Sequence, residues 1–345
     1  MYNFTYSHNT RCVVKRFFIN KKPHIINTHY YNTIRIDIMR DSKIKVACFG
    51  EVLWDIFPGD QKKIGGAPFN VAYHLFRMGV DANMISSVGN DGLGRDLLTK
   101  IKDWHIPTEH IQINHNYPTS TVIASIDENN DAHYDIVEGV AWDYIETTET
   151  DLSAISRMDA LVFGTLATRN SQSRNTLFRL MEASHYNVLD INLREPYYDV
   201  KIIKEILHKT QLAKFNKAEL RMMLDFLGKP YSNEKDSVRY LQDIFDMEEV
   251  IVSKGSKGAL YAKGDHFYLY PTIPVEIKDT VGSGDSFLAG FLSKRLEKEA
   301  SVHETMHQAV SLGAFITSQE GACPEYTFEE FTSFRDLHKV SVLPF

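Results

Sequence analysis

The sequence is poor in several features that would have decided its class at once. It holds three cysteines, Cys12, Cys48 and Cys323, far apart and without a CxxC pair. That spacing argues against a disulfide framework or a cysteine zinc site and fits a reducing, cytoplasmic compartment. No uninterrupted apolar stretch approaches 18 residues, so no transmembrane helix and no membrane partner is expected. Positive charge is scarce: 38 Lys and Arg stand against 45 Asp and Glu, a formal charge of −7. A general basic surface for nucleic acid is therefore not expected. No GxxxxGK[ST] phosphate loop occurs, and Gly89-Asn90-Asp91-Gly92-Leu93-Gly94 has the wrong spacing for a dinucleotide turn.

The charge that is present is unevenly placed. Residues 1–38 carry six Lys and Arg against the single acid Asp37, so the remainder carries 32 basic and 44 acidic residues. This leader is rich in Asn, His, Tyr and Phe, shows no clean period and lacks the compact apolar segment of a secretory signal. It reads as an extension outside the fold, disordered or not native, with Met39 as the start of the working chain over 39–345.

In the body, Ile44–Gly50 reads as a buried strand that Glu51–Phe57 continues. Gly65 and Gly66 precede an amphipathic helix over Ala67–Met78, closed by Gly79. Thr119–Ile126 and Ala132–Val137 alternate around a polar turn at 127–131, a hairpin signal with no intervening helix. From Ala160 onward strands and helices alternate, which predicts a largely parallel sheet covered on both faces. The hairpin and the segment around Val52–Ile64 do not fit that layer. They read as a small β lid drawn from about 51–65 and 117–138.

The strongest local signal is the turn Asp279-Thr280-Val281-Gly282-Ser283-Gly284-Asp285, followed by an apolar helix. Small residues let backbone approach a ligand, and the N–H groups at a helix start together with its dipole form an anion hole. Asp285 beside such a hole can take a proton from a hydroxyl while the amides hold charge growing on a transferred phosphoryl group. As a plain cap the same aspartate would be ordinary.

Gly65-Gly66-Ala67-Pro68-Phe69-Asn70 and Asp279–Asp285, taken together and in this order, resemble the two signature blocks of the ribokinase-like (PfkB) carbohydrate kinases, closest to bacterial fructokinases. The resemblance spans about 44–325. It implies an α/β three-layer sandwich of eight or nine strands with a β lid, which uses ATP and Mg2+ to phosphorylate a sugar hydroxyl. It also implies that Asp285 is the base and Gly282, Ser283 and Gly284 the anion hole, with Ser283 where the family often has alanine. On the sugar side it implies Asp55, Gly65, Gly66, Asn70 and Arg194. On the nucleotide side it implies Asn216, Ser253, Gly255, Ser256 and Gly258. Asn216 and Glu219 match an N-x-x-E pair that orders Mg2+ through water, and Asp279 with the carbonyl of Val281 resembles a monovalent cation (K+) site closed by Gly321–Pro324.

Gly50–Pro58, Gly139–Asp143 and Asp190–Arg194 resemble fructokinases more than ribokinases, so the implied acceptor is fructose. The alternative, 2-keto-3-deoxygluconate, would want a dedicated arginine for its carboxylate. The implied partners are small molecules and a second copy of the chain, meeting through the lid. One motif points elsewhere. His303-Glu304-Thr305-Met306-His307 matches HExxH, which on a helix sets two histidines on one face for a zinc hydrolase.

Overall fold

The computed structural model describes residues 43–57, 59, 61–126 and 132–344. Chain contacts divide the protein into two units, Met1–Lys43 and Ile44–Phe345, and the second carries everything described below. The leader over 1–38 and the hairpin turn at 127–131 lie outside the described residues.

The second unit is built on a nine-stranded sheet. In chain order its strands are β1 (Lys45–Phe49), β4 (Asp81–Gly89), β5 (Ile111–Asn114), β8 (Ala160–Gly164), β9 (Asn187–Asp190), β10 (Leu212–Asn216), β11 (Glu249–Ser253), β12 (Ala259–Lys263) and β13 (His266–Tyr270). They lie in the spatial order β13-β12-β11-β10-β9-β8-β1-β4-β5. All pairs from β11 to β5 are parallel, and the β12–β13 edge is antiparallel. Strand β1 shows why the apolar run at 44–50 is unbroken. Val46 and Cys48 pack into one core layer, Ala47 and Phe49 into the other, so both faces are covered.

A separate four-stranded sheet, β3-β2-β6-β7, is formed by β2 (Leu53–Phe57), β3 (Gln61–Gly65), β6 (Thr121–Ile126) and β7 (Ala132–Ile136). One expectation is corrected here. Glu51–Phe57 does not continue β1. The chain turns at Gly50, whose φ of 140° suits glycine, and leaves the large sheet before β2 begins.

Helix α1 (Ala67–Arg77) and the paired helices α8 (Ser283–Arg295) and α9 (Val302–Thr317) lie on one face, and α1 packs against α8. Between them in sequence run α2 (Gly92–Asp103), α3 (Glu149–Ile155), α4 (Ser171–Ala183), α5 (Val200–Leu207), α6 (Lys217–Phe226) and α7 (Glu234–Phe245), and α10 (Phe328–Leu337) ends the set. Helix α8 is buried on every side from Ser286 to Ser293, which is why its sequence has no apolar stripe. Full burial of Phe291, Leu288 and Leu292 is worth about 1.5–3 kcal/mol each. That packing fixes the start of α8, the part of the fold that matters most below.

Candidate active site

Open parallel sheets bind ligands outside the carboxyl ends of their strands, where the strand order reverses. Here the reversal falls between β1 and β8. Arg194 follows β9, Asn216 ends β10 and Ser253 ends β11, so the residues singled out in sequence gather at one edge, with Glu51 after β1 at the same edge.

The turn before α8 lies at that edge. Gly282 is the N-cap with φ 75°, and a Cβ there would lie 2.8 Å from Ala322. No side chain caps the helix, so its first N–H groups keep no side-chain acceptor. The first intrahelical bond runs from the Ser286 amide to the Gly282 carbonyl at 2.8 Å. The Thr317 hydroxyl donates to Ser283 Oγ at 3.0 Å and steadies the turn from α9. Asp279 accepts the amides of Val281 and Gly321, both at 3.0 Å, and so ties the turn to the segment after α9.

Asp285 is half-buried and accepts a 2.8 Å hydrogen bond from Asn70 Nδ2, 215 residues away in sequence. Burial and then the Asp190 charge push its carboxyl up to about 6, against Asn70, Lys214 and Arg194, which favour the ionised form. Asn70 is itself held: Cys323 Sγ donates to its Oδ1 at 3.3 Å. Helix α1 grips the same segment twice more. His74 stands 2.8 Å from the Ala322 carbonyl and 2.9 Å from Tyr326 Oη, and Tyr73 Oη donates to the Pro324 carbonyl at 2.5 Å. The His74 contact with a carbonyl puts the proton on Nε2, and burial lowers the imidazole to about 4, so the grip is neutral.

Asp55 stands on β2, desolvated, with its carboxyl pushed up to about 6 by burial. A side chain at Gly65 would overlap that carboxylate, and one at Gly66 (φ 110°) would overlap the Glu51 carbonyl. The glycine pair is therefore what lets β2, β3 and the start of α1 meet. Arg194 is exposed and donates to the Leu193 carbonyl, yet its charge acts on both Asp285 and Glu51.

On the other side of the turn lies a cavity of about 580 Å³. Asn216, Ser253, Gly255, Ser256, Gly258, Ser283 and Gly284 all line it, so the expected nucleotide residues and the turn share one space. Its deeper wall is apolar, with Ile273, Val275, Phe287 and Val310. Asn216 and Glu219 form a reciprocal cap at the start of α6: Asn216 Oδ1 accepts the Glu219 amide at 2.9 Å, and Glu219 Oε2 accepts the Asn216 amide at 2.7 Å. Glu219 Oε1 also accepts the Leu193 amide at 3.2 Å.

Three residues escaped the sequence reading. Lys214 lies in the middle of β10, 5% exposed, and its Nζ pairs with Asp190 Oδ2 at 2.6 Å. Burial pulls the ammonium down, but Asp190 outweighs it and holds the group above the ordinary lysine value. A Cβ on Gly284 would stand 3.3 Å from that Nζ, so the charge sits under the anion hole. A lysine inside an apolar strand (Leu212-Ala213-Lys214-Phe215) was the available signal, because buried lysines are kept only when paired. Asp190 shares that signal as its partner. Glu51 is the third: it is 4% exposed, accepts the Ala67 amide at 3.2 Å through Oε1 and has no partner for Oε2 among the described residues. Burial raises it to about 7.

The zinc-hydrolase alternative is overturned. Glu304 is spent on the cap of α9, where it accepts the Ser301 amide at 2.9 Å and the Ser301 hydroxyl at 2.7 Å. His307 Nε2 stands 2.8 Å from the His338 carbonyl, and His303 Nδ1 3.2 Å from Tyr270 Oη. No cluster of three metal-ligating side chains occurs among the described residues. The spacing was real, but the glutamate answers a helix start rather than a metal.

Comparison with known proteins agrees with this geometry. A fructokinase of Salmonella typhimurium is 25% identical over 313 residues, which is 86% of this chain and 98% of that protein. An aminoimidazole riboside kinase of Salmonella typhimurium is 23% identical, covering 86% of this chain and 97% of its own. A Vibrio cholerae fructokinase crystallised with fructose, ADP and calcium superimposes with a TM-score of 0.74 at 24% identity, over 85% of this chain and 99% of that one. The family model described as pfkB family carbohydrate kinase matches residues 41–327, and with that match over most of its length the chain belongs to the pfkB family of carbohydrate kinases.

Proposed function

We propose that the protein transfers the γ-phosphoryl group of ATP to a hydroxyl of a ketohexose, with fructose as the acceptor. The observation that carries this reading is the Asn70–Asp285 contact at an uncapped helix start, on the rim of a cavity of nucleotide size. Asp285 is the base: once ionised, it takes the proton of the attacking hydroxyl. The amides of Gly282, Ser283 and Gly284 and the Lys214 ammonium take up the charge on the transferred group. Asp55 accepts two sugar hydroxyls and, with Gly66 and Asn70, fixes the ring.

Asn216 and Glu219 fit an outer-sphere role toward Mg2+. Backbone amides fix both Glu219 oxygens, and a carboxylate so held still has lone pairs for the ion's water shell. Bound there, Mg2+ would neutralise phosphate charge. Asp279, joined to Gly321, marks where K+ would steady the turn. The free thiols Cys48 and Cys323 suit the cytoplasm. Ile123 and Val137, 51% and 40% exposed at the small sheet, suit a homodimer through that lid, which sedimentation at assay concentration tests.

A fructokinase and an aminoimidazole riboside kinase stand among the relatives at similar identity, so the acceptor rests on the sugar side. One observation favours 2-keto-3-deoxygluconate as the second reading: Arg194 brings a positive charge to bear on the site. An ATP-consumption screen over fructose, aminoimidazole riboside, 2-keto-3-deoxygluconate, ribose and nucleosides decides. Fructose is expected to give the highest kcat/KM, and a tenfold preference for any other acceptor overturns it.

A further inference from the structure

A second cavity, of about 330 Å³, is lined by none of Asp55, Gly66, Asn70 or Asp285, and shares with the site only the segment Gly321–Cys323. Its walls are two indoles, Trp54 from β2 and Trp104 from the end of α2, with Ile64 between strands. Both indoles are largely buried, and the Trp54 Nε1–H is spent on the Leu93 carbonyl at 3.0 Å. Three ammonium groups surround this apolar floor. Lys100 lies over the Trp104 ring at 5.2 Å and pairs with Glu325 at 3.7 Å, Lys63 lies over the Phe57 ring at 5.5 Å and along Gly321, and Lys62 has no partner among the described residues. Glu320 is the one acid in the lining. In a chain whose net charge is −7, three lysines around one small hollow are a local exception.

Indole faces take the apolar C–H face of a sugar ring, lysines take a phosphate as point charges, and a carboxylate accepts hydroxyls. The remaining wall is Ala322 and Cys323. These belong to the segment that α1 grips: the Ala322 carbonyl faces His74, Gly282 abuts Ala322, and Cys323 bonds Asn70, which holds Asp285. A molecule seated on this wall pushes on the residue that positions the base.

We propose that this cavity binds a phosphorylated sugar, and that its occupancy is transmitted through Cys323 and Asn70 to Asp285. The choice of a sugar phosphate rests on the proposed kinase activity, whose product has this chemistry. The binding site itself does not depend on turnover.

Tryptophan fluorescence tests it, since the chain has three tryptophans and two of them line the cavity. Fructose 6-phosphate and fructose 1-phosphate, titrated into the full chain, should change the emission saturably. Lys62→Glu, and separately Lys100→Glu, should raise Kd by about tenfold or more, the cost of one charge-assisted contact, with turnover in the absence of sugar phosphate unchanged. Inhibition of wild type by the same compounds should persist at saturating acceptor and weaken in Lys62→Glu. No saturable change at about 10 mM, or equal affinity in wild type and both variants, overturns the site; about 10 mM corresponds to under 3 kcal/mol of binding. Equal binding of inorganic phosphate or AMP overturns the sugar assignment. Inhibition relieved by excess acceptor overturns the link to Asp285. If the acceptor screen finds no sugar substrate while the lysine-dependent quenching holds, the reading of function fails and the site stands.

Discussion

The two halves of the cleft are built from different material. The half facing the 580 Å³ cavity is backbone: a glycine at φ 75°, an uncapped helix start and a glycine-bearing loop at 253–258. The half facing the small sheet is side chain: a desolvated Asp55, and Asn70 and Asp285 held by each other and by Cys323 across more than 200 residues of sequence. In the proposed reading, backbone meets the phosphates that every nucleotide shares. Of these side chains Asp55 stands on the small sheet, which can change without touching the strands that carry the fold. A division of this kind would let relatives of one family, named for fructose and for aminoimidazole riboside, differ in their acceptor.

The sharpest way to break the comparison is Asp285→Asn, which should cost about 10²–10⁴ in kcat, with ATP affinity nearly unchanged. The same variant should gain stability at pH 8. Burial raises the Asp285 carboxyl to about 6, above its unfolded value, so the ionised group costs folding energy above that pH. A shift of that size is worth about 1–3 kcal/mol after allowance for partial exposure, and the gain should fade as pH falls through 6 toward 4. A melting series across pH checks it.

Next in size is the buried pair under the anion hole. Lys214→Met leaves Asp190 uncompensated and should destabilise by about 3–5 kcal/mol in urea unfolding. Lys214→Met with Asp190→Asn should recover most of that stability and none of the turnover. Recovery of turnover would remove Lys214 from the backbone half.

Asp55→Ala sharpens the other half. Losing hydrogen bonds to a charged acceptor, at about 1.5–3 kcal/mol, should raise the sugar KM by about tenfold to a hundredfold. The ATP KM should stay put. Within the backbone half the contrast is smallest: Gly282→Ala should cost about 1–3 kcal/mol in strain against Ala322, while Ser283→Ala loses the hydroxyl's contacts with Thr317 and the Gly313 carbonyl and should cost about 1 kcal/mol. Thermal melts of the two variants compare them.

These predictions also show how much was legible in the sequence. The turn at Asp279–Asp285 and the Gly65–Asn70 block were readable because their chemistry is local: small residues, a helix start and an acid at fixed spacing. The alternation of strands and helices was readable because burial on both faces leaves unbroken apolar runs such as Val46–Phe49. Lys214 was not, because its meaning depends on β10 passing beneath a turn 68 to 71 residues further on. The hold of Cys323 on Asn70 joins positions 253 residues apart, a distance no local pattern encodes. Helix α7 is hard to read in the sequence although Asn233 caps it, because a polar segment after Gly228-Lys229-Pro230 looks like a loop. The caps also cut both ways. The Glu219 carboxylate closes a helix cap in the place where a metal-shell residue was expected, while the Glu304 carboxylate closes one where HExxH had suggested zinc.

The central claim is that Asp285 acts as a base beside a backbone anion hole. A pH–rate profile of kcat at saturating ATP and acceptor tests it most directly, because kcat reports the groups that titrate in the bound complex. The account predicts turnover that is full above pH 7 and falls as pH drops through about 6, with that limb absent from the residual activity of Asp285→Asn. Turnover that stays flat to pH 5, or an acid limb unchanged in Asp285→Asn, would contradict it.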